Sequence, residues 1–295
     1  MNQLSSTVLL YILLLLSKEV DVGAQIDDFC SLMELEGHGP DVYVGLSPDY
    51  PWGRVYGGQV VAQALRAASS TVEEERHVHS LHAYFIRGGT SDEPIRYEVD
   101  RLRNGRSFTT RRVVARQSDG AILNLSCSFQ KDEEQVDIQE SSLPDDAGNP
   151  DDYESENWAP LLERRPTNSN WSSSSGRAAT WLKVHGPIPD DPILQACALA
   201  FASDDVPTEA VSTSHPKMSE VRDGWSGYAD LFIGASLDHT IWFHRSARAD
   251  EWQFHDFRSH GLNGGRGLST GEIFTSDGLH VATVAQEALL RERTR

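Results

Sequence analysis

One segment of the chain carries an aspartate and two histidines close together, at Asp238, His239 and His244. Residues of these types can bind a metal ion or exchange protons with a substrate. If the segment is a β-strand, Asp238 and His244 share one face and His239 points the other way, because side chains alternate along a strand. We therefore favour structural hydrogen bonding here, with contacts to a substrate channel as the alternative.

A second chemically distinctive region lies between Arg87 and Arg116. It holds eight arginines against four acidic residues, inside a chain whose formal net charge is −18. One interpretation is a pair of arginine-bearing strands balanced by acids elsewhere in the fold. The other is an anchor for a small polyanion, since arginine forms paired hydrogen bonds with phosphate. Arg87 and Arg106 are the candidates for that role.

Gly57 and Gly58 stand directly before a helical pattern. Glycines at this place allow another part of the backbone to approach closely, and the N–H groups at a helix N-terminus can hold an anion. We favour packing as the main reason for the pair. The sequence has no Gly-x-Ser-x-Gly elbow, which would indicate a serine nucleophile. Glu272 lies in a predicted strand, and we assign it no role.

The composition indicates a globular protein of one or two domains: 295 residues, of which 39% are hydrophobic and 24% charged. The sequence pI is near 4.9, so general binding to nucleic acid is not expected. Cys30, Cys127 and Cys197 show neither a disulfide framework nor metal-ligand spacing. We expect buried thiols in a reducing compartment, and no metal or cofactor.

Residues 1–25 form a predicted N-terminal extension that is either signal-like or disordered. Its apolar run, 8–16, is too short to span a bilayer, so no stable membrane insertion is expected. Val22-Gly23-Ala24 would suit a signal peptidase, but no basic residue precedes the run and Glu19 and Asp21 follow it. We expect a cytoplasmic protein, or an exported one if the extension is a signal. The C-terminus is not a peroxisomal address.

The first folded block is predicted over 26–131. Apolar residues at helical spacing between Val60 and Ala68 predict a helix rich in small residues. Asn104-Gly105 and Asp119-Gly120 are hairpin turns, so the sheet is antiparallel. The strands of this block are predicted at 78–87, 95–102, 108–116 and 121–130.

Residues 132–177 are acidic and rich in Ser, Pro, Gly and Asn, which predicts a linker. The second block, 178–295, repeats the plan of the first. Its helix follows Asp190 or Asp191 as the N-cap, with Pro192 at the first helical position. Its strands are predicted at 180–185, 235–245, 252–259, 268–275 and 279–290.

The two blocks also match at a constant offset of 158 residues, which indicates an internal repeat. Phe85 matches Phe243 and Arg87 matches Arg245. A lone apolar helix must be covered, and a curved antiparallel sheet can wrap it. The sequence therefore predicts an α+β fold of two tandem hotdog domains, whose sheets can pair edge to edge and so remove two exposed edges.

The motifs of both halves resemble those of the tandem-hotdog acyl-CoA thioesterases, the bacterial thioesterase II type that also occurs in eukaryotic peroxisomes. The similarity runs from about Ile26 to Arg291 and is broken by the predicted linker. Several long motifs in the same order make the resemblance specific. They are 55–65, 78–87, 105–108 with 111–113, 202–204, 237–245 and 284–287.

The resemblance implies an enzyme that hydrolyses acyl-CoA with a trio of Asp204, Ser236 and Gln286, all in the second half. The aspartate would take a proton from a water that the other two orient, with no covalent intermediate. This chain has Ser236 where the family often has threonine, and the segment 211–227 is longer than the family pattern. Substrate-binding candidates are Gly57, Gly58, Arg87, Arg106 and His239. The resemblance also implies a homo-oligomer.

The repeat predicts that the first half lacks the trio. At the offset of 158, Ser236 matches Val78 and Gln286 matches Ser128; aligning the helices through Gln59 and Gln195 matches Asp204 with Ala68. Two other functions stay open. A hotdog enoyl-CoA hydratase would need a histidine beside the aspartate, and the next one along the chain after Asp204 is His215. A non-catalytic acyl-CoA-binding protein would not need the trio.

Overall fold

The computed structural model describes residues 26–156, 159–167, 175–221 and 225–294. Residues 1–25, predicted to be an extension, lie outside this part of the chain. No helix within the described residues is long and apolar enough to cross a membrane. The helices are α1 (Phe29–Leu32), α2 (Gly57–Ser69), α3 (Pro192–Ser203), α4 (Pro207–Thr213) and α5 (Trp225–Leu231), with short 3-10 turns at Asp145–Ala147, Pro150–Asp152 and Pro216–Glu220.

The strands of the described residues join one antiparallel sheet, in the order β1-β2-β4-β5-β6-β3-β10-β13-β12-β11-β8-β7, with β9 also paired to β13. This confirms the α+β fold and the two antiparallel halves. The strands are β1 (Glu36–Gly37), β2 (Val42–Gly45), β3 (Arg76–Phe85), β4 (Ile95–Asn104), β5 (Phe108–Gln117), β6 (Gly120–Lys131), β7 (Leu162–Pro166), β8 (Arg177–Val184), β9 (Phe232–Ser236), β10 (Asp238–Phe243), β11 (Gln253–Asn263), β12 (Arg266–Thr275) and β13 (His280–Glu292).

The two halves meet edge to edge where β3 pairs with β10, as predicted. His82 lies opposite Thr240 in this pairing, and these residues are 158 positions apart, the offset of the repeat. The pairing is therefore symmetric about His82 and Thr240, as a pseudo-two-fold axis requires. Each half loses one exposed edge in this way.

Each half wraps its sheet around one helix, α2 or α3, and both helices contribute to a single hydrophobic cluster that includes Leu65 and Phe201, both fully buried. The helices begin differently. The Asp191 carboxylate accepts a hydrogen bond from the Ile193 amide at 2.9 Å and so caps α3, with Pro192 following it as predicted. Tyr56 stands at the N-cap of α2 and makes no such side-chain bond.

The N-terminus of α2 lies against the C-terminal turn of α3. An ideal Cβ built on Gly58 would overlap the carbonyl oxygen of Phe201. The same oxygen accepts a hydrogen bond from the Tyr56 hydroxyl at 2.9 Å. A glycine is thus required at position 58 because two backbones meet there, which supports the packing interpretation of the glycine pair.

The predicted linker is partly folded, and this is a correction. Within 132–177 the structure places β7, which pairs with β8, while Leu143, Ala147 and Tyr153 pack on a cluster around Trp181 of the second half. The backbone of this segment finds partners in the second sheet, which composition alone does not reveal. Residues 157–158 and 168–174 of the predicted linker lie outside the described part of the chain.

The repeat offset changes by one residue at a hairpin, which corrects one predicted match. The turn between β5 and β6 joins Gln117 to Gly120, whereas Thr275 bonds Leu279 across the turn before β13. The longer second turn shifts the register, so that Ser126 and Ala285 are equivalent. Gln286 therefore corresponds to Cys127 and not to Ser128.

We predict that Gly58→Ala destabilises the protein by about 2 kcal/mol or more, as for an overpacked core, even though alanine gains about 1 kcal/mol in helix propensity. The carbonyl of Phe201 cannot move without displacing α3. The measurement is urea unfolding of the variant against wild type. Gly37→Ala is the control, because a Cβ at Gly37 meets nothing within 4 Å; equal stability of the two variants would contradict the close approach of α2 and α3.

Candidate active site

Asp204 closes the C-terminus of α3 as its C-cap residue and is only 7% exposed. Its Oδ1 accepts a hydrogen bond from the Ser236 hydroxyl at 3.2 Å, and its carboxylate also accepts the backbone N–H of Gly58. The other oxygen, Oδ2, lies 2.5 Å from the position of an ideal Cβ on Gly57. The carboxylate of the second half is therefore seated on the helix N-terminus of the first half, where the dipole favours an anion.

Ser236 reaches Asp204 because the strand that carries it is interrupted. The segment predicted as one strand, 235–245, is divided into β9 and β10 at Leu237, whose N–H bonds the carbonyl of Glu287. The Asp238 carboxylate accepts the Glu287 N–H at 2.7 Å. In a regular strand Ser236 and His239 would face opposite sides. The interruption turns both toward the interior, as β-bulges beside active sites do.

Gln286 connects the members of the site. Its Nε2 donates to the Ser236 hydroxyl at 2.8 Å and to the Thr208 hydroxyl at 3.2 Å. Its Oε1 bonds Nδ1 of His239, and Nε2 of His239 lies 2.9 Å from the Ser203 hydroxyl. The structure thus brings together the three residues of the predicted trio, Asp204, Ser236 and Gln286, although they are distant along the chain.

His239 holds the amide of Gln286 in one orientation. Burial lowers the pKa of His239 to about 4, against a smaller opposing effect of the Gln286 hydrogen bond, so the ring is neutral at pH 7. A carbonyl oxygen only accepts, so Nδ1 carries the proton and Nε2 accepts from Ser203. The amide nitrogen of Gln286 is then directed at Ser236 and Thr208.

The electrostatics of Asp204 suit a base that works near neutrality. Burial raises the pKa of Asp204 to about 7, the hydrogen bonds of Ser236 and Gln286 oppose this, the neighbouring charge of Asp205 raises it further, and the Gly58 amide lowers it. A carboxylate with this pKa is half ionised at pH 7 and is a far better proton acceptor than an ordinary aspartate. The surroundings that desolvate it are the two helix ends.

The predicted substrate-binding residues are spread over the fold. Gly57 and Gly58 line the carboxylate, and Arg87 follows the end of β3 on the same side. Arg106 lies at the other end of β3, since its carbonyl accepts from Arg76 at 3.3 Å; β3 spans ten residues, or about 30 Å. That distance separates Arg106 from the trio. His239 is fully buried behind Gln286, so it orients Gln286 and offers no surface to a substrate.

Thr208 and Ser203 belong to this cluster and escape the sequence analysis. Thr208 follows Pro207 in the first turn of α4, a Pro-at-N1 signal that marks a second helix right after α3. The sequence contains that signal at Pro207, whereas the predicted extra length is placed at 211–227. Ser203 is a fully buried helical serine; it lies in the motif 202–204, but only Asp204 of that motif is predicted as a site residue.

The first half has no equivalent cluster. Its counterparts to Ser236 and Gln286 are Val78 and Cys127, both apolar and buried. Ala68 is buried in α2, and the C-cap residue of that helix is Ser70. The opposite helix N-terminus is occupied by its own Asp191. No group of histidine, cysteine, aspartate and glutamate residues within the described ranges is arranged to hold a metal ion.

Comparison with known proteins agrees with this architecture. Residues 46–130 match the family model "Acyl-CoA thioesterase N-terminal domain" and residues 138–290 match "Acyl-CoA thioesterase C-terminal domain". The chain belongs to the acyl-CoA thioesterase II family. The C-terminal match of this family begins at residue 138, well before the predicted boundary at 178, and so includes the folded part of the predicted linker.

Two family members and one solved structure show how far the likeness extends. Acyl-CoA thioesterase 2 of Haemophilus influenzae is 34% identical over 90% of this chain and 98% of its own length. Human acyl-coenzyme A thioesterase 8 is 31% identical over 88% of each chain. The crystal structure of an acyl-CoA thioesterase II from Mycobacterium marinum covers 90% of this chain and 99% of its own, with a TM-score of 0.76 and 34% identity.

We predict that Asp204→Asn makes the stability of the protein less dependent on pH. The folded pKa of Asp204, about 7, is raised above the ordinary 3.8, so this group favours folding fully below about pH 4. That contribution is lost as the pH rises through 7, a loss of up to about 4 kcal/mol. Asparagine does not ionise. The free energy of unfolding of the variant, relative to that of wild type, should therefore rise by up to that amount between pH 4 and pH 8.

The measurement is the free energy of unfolding in urea at both pH values. Asp191→Asn, the same change at the other end of α3, is the control for removing one carboxylate from this helix. A stability difference between Asp204→Asn and wild type that stays constant across this pH range would show that Asp204 is not desolvated in the folded state.

Proposed function

We propose that the protein hydrolyses acyl-CoA to a fatty acid and free coenzyme A, with Asp204 as the base that activates a water molecule. The observation that carries the proposal is the buried contact of Asp204, Ser236 and Gln286 at the junction of α2 and α3. These residue types suffice for thioester hydrolysis, since a thioester carbonyl already reacts readily with an oriented and deprotonated water.

In the proposed reaction the water oxygen attacks the thioester carbonyl carbon and its proton passes to the Asp204 carboxylate. The tetrahedral intermediate then collapses, the C–S bond breaks, and the thiolate of coenzyme A takes the proton back from Asp204. The products are the carboxylic acid and the thiol. Asp204 thus serves first as base and then as acid, which a pKa near 7 permits in both directions.

The hydroxyls and the amide orient the water. The chain of donors runs from the Gln286 amide to the Ser236 hydroxyl and on to Oδ1 of Asp204. Thr208 accepts from the same amide, so its own hydroxyl hydrogen remains for the water. We propose Thr208 as a fourth residue of the site on this ground.

We predict that Asp204→Asn keeps the fold and lowers kcat by about 10²- to 10⁴-fold, the usual contribution of a general base. Wild-type kcat/KM should fall as the pH drops below 7, because protonated Asp204 cannot accept a proton. Thiol release from a panel of acyl-CoA chain lengths measures both. Asp191→Asn is again the matched control, with wild-type turnover expected; wild-type turnover of Asp204→Asn would remove Asp204 from the mechanism.

We further propose that Arg87 and Arg54 bind the phosphates of coenzyme A. Both line a cavity of about 320 Å³ together with Gly88 and Gly89. Arg54 is three residues from Gly57, so the two Cα atoms are at most about 11 Å apart. Guanidinium groups bind phosphate through paired hydrogen bonds. The cavity, which Glu93 and Asp119 also line, is near enough to Asp204 to anchor the far end of the substrate.

Arg87→Ala should raise KM for acyl-CoA about tenfold, the loss of one charged hydrogen-bonding partner, with little change in kcat. Arg106→Ala is the matched control, because it removes an arginine of the same stretch from the far end of β3. Steady-state kinetics with acyl-CoA measures both variants. Equal KM values for Arg87→Ala and Arg106→Ala would show that Arg87 does not bind the phosphates of coenzyme A.

Two other functions make different predictions in the same assay. In an enoyl-CoA hydratase an acid–base histidine would face the substrate beside the aspartate, but both ring nitrogens of His239 are bonded to Gln286 and Ser203, and His215 pairs with Glu292 at 3.4 Å. A non-catalytic acyl-CoA-binding protein would bind acyl-CoA and release no thiol. Thiol release from saturated acyl-CoA distinguishes hydrolysis from both.

We also propose a cytoplasmic location, and we propose association into homo-oligomers, as the resemblance implies. Cys30, Cys127 and Cys197 are free thiols, which suits a reducing compartment. The predicted oligomer rests on the family resemblance alone, and sedimentation of the purified protein would test it.

A further inference from the structure

A buried arginine stands directly behind the site, in the segment that composition predicts to be a linker. Arg164 of β7 is 4% exposed. Its Nη2 donates to Oε2 of Glu209 at 2.7 Å, and its Nη1 lies 3.5 Å from Oδ2 of Asp205. The side chains of Asp205 and Glu209 are 0% and 9% exposed in these pairs. One guanidinium thus bridges two buried carboxylates.

Each of the two carboxylates belongs to the residue that follows a site residue along the chain. Asp205 directly follows Asp204, and Glu209 directly follows Thr208. Between them the chain leaves α3 and enters α4 at Pro207. Arg164 therefore contacts both ends of the short turn that joins Asp204 to Thr208.

We propose that Arg164 is a positioning residue of the thioesterase site, which holds Asp204 and Thr208 in place through Asp205 and Glu209. This inference rests on the proposed function and extends it. Arg164 touches neither substrate nor water, so its effect must pass through the turn between α3 and α4. The planar fork of arginine suits such a bridge, whereas lysine offers a single point charge.

The charge of Arg164 matters as well as its shape. Burial disfavours its charged form, but the Asp205 and Glu209 carboxylates keep the pKa of Arg164 above its ordinary value, so it is ionised. The charged or titratable groups around Asp204 are Asp205, Tyr56 of α2 and Arg164. The charge of Asp205 raises the pKa of Tyr56, and the charge of Arg164 lowers it. His239 of β10 is neutral, and Glu209 of α4 is paired with Arg164.

The experiment uses the full chain and compares substitutions that separate shape from charge. Arg164→Lys keeps the charge and loses the fork: kcat should fall about tenfold, KM should stay near wild type, and the acid limb of the pH–rate profile should move little. Asp205→Asn removes the negative charge beside Asp204 and should move that limb to lower pH. Arg165→Lys is the matched control, because Arg165 is the next residue of β7 and pairs with Asp151 at the surface.

A third variant keeps the test informative if a lone charge change prevents folding. Arg164→Met combined with Asp205→Asn and Glu209→Gln leaves no uncompensated buried charge; it should fold and have low kcat with unchanged KM. Wild-type kcat in both this variant and Arg164→Lys would overturn the proposal, since a merely structural ion cluster would alter only the unfolding midpoint.

Failure of the proposed function can be told from failure of this inference. The titration of the Asp204 carboxyl, followed by isotope-edited infrared spectroscopy, does not depend on turnover. A shifted titration in Asp205→Asn and a broadened carboxyl band in Arg164→Lys support the positioning role even if wild type releases no thiol. An unchanged carboxyl band in both variants, in a protein that does hydrolyse acyl-CoA, would remove Arg164 from the site and leave the thioesterase proposal standing.

Discussion

The site depends on one interaction, the burial of the Asp204 carboxylate against the N-terminus of α2. An ionised carboxylate away from water is costly unless donors replace the lost hydration. Gly58, Ser236 and Gln286 supply donors to it, and these lower its pKa by less than burial raises it. The balance leaves the pKa of Asp204 at about 7. A group with this pKa can both accept and return a proton near neutral pH.

The internal repeat explains how such a place arises. Two similar halves joined through β3 and β10 bring each helix N-terminus toward the C-terminus of the other helix, so two equivalent places exist. In one of them the helix N-terminus is capped by its own residue, Asp191, and the positions matching Ser236 and Gln286 are Val78 and Cys127. In the other, Tyr56 gives α2 no side-chain cap. The Asp204 carboxylate, from the other half, accepts a backbone N–H of α2 in its place.

Periodicity, turn residues and the repeat predict the two central helices, α2 and α3, most of the strands, the antiparallel sheet and the edge pairing of the two halves. The short helices α1, α4 and α5 are not predicted. Motif resemblance picked out Asp204, Ser236 and Gln286. What escaped prediction depends on the third dimension. A one-residue difference between two hairpins makes Cys127, and not Ser128, the counterpart of Gln286. The interruption of the strand at Leu237 turns both Ser236 and His239 toward the interior. The arginines 87 and 106 look alike in sequence and lie at opposite ends of β3, and β7 was hidden in a stretch of linker-like composition.

The half that carries the trio is not a complete site. The Asp204 carboxylate accepts the Gly58 amide, and position 58 requires a glycine because the carbonyl of Phe201, in the second helix, lies against it. The first half has no equivalent of the trio, yet it supplies a backbone donor that lowers the pKa of Asp204 in the second half. Both halves therefore contribute to the surroundings of one carboxylate, and a single hydrophobic core surrounds both helices.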